Sequence, residues 1–403
     1  MSAQKDVISL IAVPLYTRCC MQRQTLGLAA FLTAVHALGQ SPAAGPAPPR
    51  FTSPEVTADR HMVFRIFAPD AHRVELFSTD IFGASRQGDM TKAENGIWEI
   101  TSGPIDPGAY RYNFNVDGVP VMDPRSPSVS ESVGNAWSMV YVPGADFMET
   151  KDVPHGAVAS ITYYSKSLAK FRRMHVYTPP GYEIGAQKYP IFYLLHGAGD
   201  SDDSWTSVGR AGFIIDNLIA AAKAKPMIIV MPAGHTAPFD LAPTPSGLRY
   251  DDFVSDFVND IMPYAETHYR VLAGPQHHAI AGLSMGGAQT LDVAIPHPGK
   301  FAYVGVFSSG VIGIVPVARA SFPAPNPPWE QQHLADLDKP ARKDWKLFWF
   351  STGKDDFLLN TTTATVELFQ KHGYKPVFQQ SAGAHTWTNW REYLNQFAPQ
   401  LFQ

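Results

Sequence analysis

Ser284 lies in Gly282-Leu283-Ser284-Met285-Gly286-Gly287, and the flanks of this hexapeptide restrict the fold more than any other feature of the chain. Residues 278–281 before it form a short apolar run, and a helix is predicted from the motif to about Ile295. A serine on so sharp a strand-to-helix turn adopts strained backbone angles that project its Oγ into solvent. Gly282 and Gly286, two positions to either side, leave room for neighbouring backbone. The helix N-terminus behind the serine favours developing negative charge. That is the setting of a nucleophile; the competing reading is an ordinary glycine-rich turn.

The surrounding pattern agrees. Runs at 191–195, 227–231, 278–281, 303–307 and 347–350 are apolar without alternation, as in strands covered on both faces of a parallel sheet. Between them, Phe253, Phe257, Ile261 and Tyr264 recur at helical steps within 250–268. Strand and helix alternating in this way predict a doubly wound, mostly parallel α/β sheet of the α/β-hydrolase kind over residues 157–403. Residues 51–145 read differently. Tyr110, Tyr112, Phe114 and Val116 alternate with polar residues, which predicts a half-buried strand, and Asp117-Gly118 predicts a hairpin turn with a return strand at 119–121. Further short strands at 63–68, 74–77 and 97–101 complete a small all-β antiparallel sandwich. Residues 146–156 are expected to link the two.

The first fifty residues have the character of processing sequence. Residues 26–37 form an apolar run after Arg23, too short to span a bilayer, with Val35 and Ala37 as small residues at a cleavage site, so a signal peptide is expected at about 21–37. Met21 could then be the true start. The Pro- and Ala-rich residues 41–50 read as an extended linker. A secreted or periplasmic protein is expected. Cys19 and Cys20 are the only cysteines. Both fall in this leader, which excludes cysteine catalysis and a cysteine-based zinc site in the mature chain. The formal charge of −4, without a basic run, argues against a nucleic-acid or membrane-surface partner.

Three more segments carry chemistry. The loop after the first apolar run, Leu195-His196-Gly197-Ala198-Gly199, is expected to supply one oxyanion-hole amide from Ala198, with the other from Met285. His196 is read as holding this loop's shape, and His196, Gly197 and Trp205 are also candidates for touching substrate. Asp355 and Asp356 follow the run at 347–350 as candidate acids, and the residues alone do not separate them. His385, in Ala382-Gly383-Ala384-His385, comes last of the three, giving the chain order Ser, Asp, His. The carboxylate would fix the imidazole tautomer and stabilise the imidazolium. Asp200, Asp202 and Asp203 cluster in one loop, but it lacks the glycine and distal glutamate of an EF-hand, so a solvated rim loop is expected. No metal or cofactor is required. Residues 234–248 are expected to shape specificity.

The segments Val176-Tyr-Thr-Pro-Pro-Gly-Tyr182, Tyr193–Gly197, 281–287, Gly353-Lys-Asp-Asp-Phe357 and His385-Thr-Trp387 resemble carbohydrate esterase family one, which contains feruloyl, acetyl xylan and enterochelin-type esterases and mycolyltransferases. The resemblance spans residues 157–402. It implies a serine ester hydrolase with Ser284, His385 and Asp356 as its triad, because the family acid is the fourth residue of a G-x-x-D turn. Phe67-Ala-Pro69, Gly96-Ile-Trp98 and Pro107–Tyr112 resemble the early-set, immunoglobulin-like modules of carbohydrate-binding family forty-eight, which implies that the sandwich is immunoglobulin-like. The pairing implies release of ferulate or acetate from xylan-type polysaccharide. An acyltransferase, a siderophore esterase and a non-catalytic carbohydrate-binding protein remain as alternatives. Trp98 and Trp137 are present, but no row of aromatics for sugar stacking is evident, so a structural role for the module is equally expected.

Overall fold

Ile191, Tyr193 and Leu195 turn to one face of their strand and Phe192 and Leu194 to the other, and all five are buried. Each face meets its own apolar layer, which is why the sequence here shows no alternation. The computed structural model describes residues 49–82, 87–236, 250–317 and 328–403. It assembles eight strands into one sheet: β1 Ala157–Ser165, β2 Lys170–Thr178, β3 Ile191–Leu195, β4 Ile228–Pro232, β5 His278–Leu283, β6 Tyr303–Phe307, β7 Leu347–Gly353 and β8 Val377–Ser381. Their spatial order is β1-β2-β4-β3-β5-β6-β7-β8. From β4 to β8 all neighbours run parallel, while β1 pairs β2, and β2 pairs β4, antiparallel. This is the α/β-hydrolase sheet. The expected leader and cysteines, and residues 237–248 of the specificity loop, lie outside the described residues.

Helices supply the two layers. Phe253, Phe257 and Ile261 pack on one face, from a helical run Tyr250–Asp256 that passes through a π turn, Phe257–Ile261, into Met262–His268. Pro263 lies two positions beyond the π turn, in the first turn of Met262–His268. Proline cannot complete an α-helical hydrogen bond and crowds the preceding turn, and a wider turn accommodates it. On the other face lie Ile214 and Ile215 of Ala211–Ala220, with Tyr393, Leu394 and Phe397 of Trp387–Phe397.

The preceding all-β region has two sheets. One orders Glu55–Val56, Met62–Phe67, Ile97–Ser102 and Thr91–Lys92; the other orders Gln87–Asp89, Val74–Ser78, Gly108–Val116, Asn135–Val142 and Val129–Ser132. Phe64, Tyr112, Phe114 and Trp98 fill the space between them. Asp117 and Gly118 both take positive φ, and the Asp117 carboxylate accepts from the amides of His72 and Arg73. The hairpin turn is therefore fixed by backbone bonds as well as by conformation.

Two sequence expectations need correction at the junction of sandwich and hydrolase. The strand Gly108–Val116 is not half-buried: Arg111 and Asn113, on its polar face, are also buried. The loop at 200–203 is not solvated either, since Asp200 and Asp202 are buried. The same contacts explain both. Arg111 donates to Asp200 Oδ1 at 2.6 Å and to Ser204 Oγ at 2.7 Å. Glu131 N donates to Asp203 Oδ2 at 2.9 Å, and Ser130 and Ser207 hydroxyls meet at 2.6 Å. Asp202 pairs with Arg173 and His175 of β2. The polar stripe thus faces a second domain instead of water. The segment joining the two halves is also tied down, because Arg210 donates to Met148 O and Asn217 to the carbonyls of Phe147 and Glu149. Among the described residues, no helix is long and apolar enough to cross a membrane.

Candidate active site

Ser284 follows β5, Asp356 follows β7 and His385 follows β8, so all three stand at the carboxyl edge of the parallel strands, where open α/β sheets bind ligands. Ser284 has φ 51° and ψ −118°, a conformation that a non-glycine residue adopts only under constraint. The constraint is close backbone packing. A Cβ on Gly282 would lie 2.3 Å from the Gly286 carbonyl, and one on Gly286 would lie 2.5 Å from the His196 carbonyl oxygen. Ser284 N donates to Phe307 O at 2.9 Å, and Ser309 Oγ donates to Ser284 O at 2.5 Å.

The serine hydroxyl lies 2.9 Å from His385 Nε2, and His385 Nδ1 lies 3.0 Å from both Asp356 oxygens. An ionised carboxylate only accepts, so Nδ1 carries the ring proton and Nε2 is left to accept from the serine. The Asp356 side chain is fully buried. Burial alone pushes its carboxyl up, but the His385 hydrogen bond and charge, the Leu358 amide and the Ser308 side chain outweigh it and hold the group below the ordinary carboxylate range. Asp355 is exposed. Its backbone N–H serves the loop instead, donating to Gly383 O at 2.9 Å and so joining the acid-bearing turn to the histidine-bearing one. Phe357 and Trp390 flank the imidazole at 4.4 and 5.0 Å between ring centroids.

The loop after β3 lies against the serine. A Cβ on Gly197 would meet Leu283 Cδ1 at 2.6 Å and Ser284 Cβ at 3.4 Å. Ala198 follows, half-buried. Met285 opens the helix Met285–Ala294, a position whose amide has no carbonyl one turn back. His196 is buried. Its Nε2 accepts from Gly234 N at 2.8 Å, which leaves the proton on Nδ1, 2.8 Å from Gly197 O. Burial lowers its pKa and keeps the ring neutral. It therefore ties the ends of β3 and β4 together, with Gln289 donating to Gly234 O from the helix behind. Trp205 is 1% exposed, bonds Leu195 O through its indole nitrogen and packs edge-on against Trp387. Neither His196 nor Trp205 has a free face for substrate; both support the loop. Sequence reading passed over Asn389, which donates to Ala382 O at 2.7 Å and braces the turn before His385. Its position in the first turn of a helix after a small-residue loop was the available signal. Among the described residues, no group of three or more His, Cys, Asp or Glu side chains is set to hold a metal ion.

Residues 165–401 match the sequence profile of the Esterase family. The chain belongs to that family. The matched residues are the α/β half of the chain, and relatives of the chain include a feruloyl esterase. Residues 52–126 match carbohydrate-binding module 48, the isoamylase N-terminal domain. The chain is 34% identical over 267 residues to an endo-1,4-beta-xylanase/feruloyl esterase of Xylanibacter ruminicola, an alignment covering 64% of this chain and 36% of that protein. It thus spans well under half of that relative. Among solved structures it is similar to a ferulic acid esterase, at 28% identity and a TM-score of 0.51, covering 61% of this chain and 97% of that one. The enterochelin esterase of Shigella flexneri, at 15% identity and a TM-score of 0.59 over 87% of this chain and 94% of its own, shares the fold.

Proposed function

We propose that the chain is a secreted or periplasmic esterase that releases ferulate or acetate from xylan-type polysaccharide through a Ser284–His385–Asp356 triad. The observation that carries this reading is the 2.9 Å approach of Ser284 Oγ to His385 Nε2, with Asp356 on the opposite ring nitrogen. Ser284 Oγ attacks the ester carbonyl carbon while its proton passes to Nε2. The tetrahedral oxyanion accepts from the amides of Met285 and Ala198, a contribution worth on the order of a hundredfold in rate per donor. Asp356 stabilises the imidazolium without taking its proton. The C–O bond to the sugar then breaks, and its oxygen leaves with the proton from Nε2. Water, deprotonated by the same nitrogen, attacks the acyl-enzyme and frees the acid.

The domain division is part of this reading: a leader with a signal peptide at about 21–37 and a Pro/Ala-rich linker over 1–50, a carbohydrate-binding-like sandwich over 51–145, a connector over 146–156 and the hydrolase over 157–403. The aromatic ester is favoured by the ferulic acid esterases among the relatives. The test is hydrolysis of methyl ferulate, acetylated xylan and a catechol-siderophore ester by wild type and Ser284→Ala, alongside labelling with a fluorophosphonate. The reading requires a labelled wild type that cleaves one of the first two, and an unlabelled, inactive but folded variant. An active Ser284→Ala protein would overturn the triad, and preference for the siderophore ester would overturn the substrate class.

A further inference from the structure

Arg111 belongs to the sandwich, and its guanidinium is buried at the junction with the hydrolase, bonding both halves. Nη1 lies 2.6 Å from Asp200 Oδ1, Nη2 2.7 Å from Ser204 Oγ and 2.9 Å from Glu131 O, and Nε 2.9 Å from Ser130 Oγ. Asp200 in turn closes the tight turn that holds Ala198. Its amide donates to Gly197 O at 3.1 Å, and its second carboxylate oxygen stands 3.3 Å from where a Gly197 Cβ would be. Ser132 of the sandwich also makes a backbone bridge to Asp200. On its other side the Arg111 guanidinium lies 5.8 Å from the Trp387 ring, two residues beyond His385. One side chain of the N-terminal domain is therefore wedged between the loop carrying one oxyanion amide and the helix that begins behind the base.

We propose that Arg111 is a positioning residue for ester hydrolysis: by clamping Asp200, it fixes the Gly197–Ala198 turn in the geometry that receives the oxyanion. The inference deepens the proposed function and rests on its oxyanion assignment. A buried guanidinium held by four hydrogen bonds, one of them to a carboxylate, is stiff, and this stiffness matters most where an amide must be placed to within a fraction of an ångström. The sandwich then acts on the chemical step even for a soluble ester that has no polysaccharide to bind.

The test uses the full chain and methyl ferulate, with turnover expressed per site titrated by a fluorophosphonate. Arg111→Met and Asp200→Asn are expected to lower kcat by roughly tenfold to a hundredfold with KM changed by less than about threefold. Binding of a boronic acid that mimics the tetrahedral intermediate is expected to weaken by a similar factor, while binding of ferulate stays as in wild type. Arg111→Met/Asp200→Asn, which leaves neither charge buried alone, guards against misfolding and is expected to lose no more than either single variant. Arg111→Lys keeps a charge opposite Asp200 and is expected to lose less. Wild-type kcat and boronate affinity per titrated site in the folded variants would overturn the inference. If Ser284→Ala stays active or wild type ignores the boronate, the proposed function itself has failed; if those controls behave and only the Arg111 series is silent, this inference alone has failed.

Discussion

Arg391 donates to the carbonyl oxygen of Ala109 in the sandwich at 3.1 Å while holding Val208 O in the hydrolase at 2.9 Å. It is 1% exposed. Burial pulls its pKa down to about 10, with Tyr110 and Asp80 acting in the opposite sense. It sits on the helix Trp387–Phe397, directly after the turn that presents His385. Arg111 and Arg391 thus cross the junction in opposite directions.

Replacing Arg391 by methionine should destabilise the whole chain, not one half of it. Two carbonyls lose their donor, and a buried acceptor left unsatisfied costs about 1–3 kcal/mol. The expected result is a lower urea midpoint with sandwich and hydrolase still unfolding in one transition. An unchanged midpoint would show that the contact adds nothing.

The two adjacent aspartates should separate cleanly. Asp356→Asn removes the acceptor that sets the imidazole tautomer, and the expected fall in kcat is on the order of 10⁴-fold. Asp355→Asn alters an exposed side chain and is expected to stay within a few-fold of wild type. Steady-state rates on methyl ferulate decide it, and the reverse order would exclude Asp356 as the orienting acid.

Acid should weaken the fold in two stages. Burial foremost, with the neighbouring His196 acting in the same sense, lowers the His235 pKa to about 4. The unfolded chain takes up that proton near pH 6.5 and the folded chain does not, so stability falls as pH drops from about 6.5 towards 4. Asp202 is shifted down to about 2: burial pushes it up, but hydrogen bonds from His175 and Arg173 and their charges prevail. Its contribution is present above the unfolded value near 3.9 and is lost as pH falls through 2. Melting temperatures measured across pH 2–8 should show both declines, and His235→Gln should flatten the upper one.

Glycine substitutions should divide according to what a methyl group would meet. Gly282→Ala places it 2.3 Å from Gly286 backbone, which has nowhere to go, and should yield little folded, active protein. Gly212→Ala, in the helix Ala211–Ala220, meets only the Tyr177 ring at 3.8 Å. Replacing a helical glycine there should stabilise by up to about 1 kcal/mol with activity unchanged. Thermal melts and kcat of the two variants check both expectations.

The candidate site was legible in the sequence only where its signal was local. Ser284 and His385 announce themselves through flanking glycines and through the strands and helices on either side, and the runs 191–195 and 303–307 coincide with β3 and β6. What escaped was whatever depends on a distant partner. Strands β1 and β8 show much of their surface to solvent and carry no continuous apolar run, so they did not register. Asp200 and Asp202 looked like acids made for water because Arg111 is 89 positions away and Arg173 is 29. Asp355 and Asp356 differ by a single step along a turn, and only the path of the backbone decides which one faces the imidazole. His196 and Trp205 had the right location for substrate contact, but burial assigned them to the scaffold.

Beside its apolar contacts, the seam between the two halves carries buried arginines, each fitted to several specific acceptors. Greasy surfaces tolerate exchange of one bulky residue for another, whereas a guanidinium fitted to one carboxylate and two serines does not. Recombination that grafted a foreign sandwich onto this hydrolase would strand Asp200 without its cation and Arg391 without its carbonyl. A productive chimera would have to carry both arginines' partners with them.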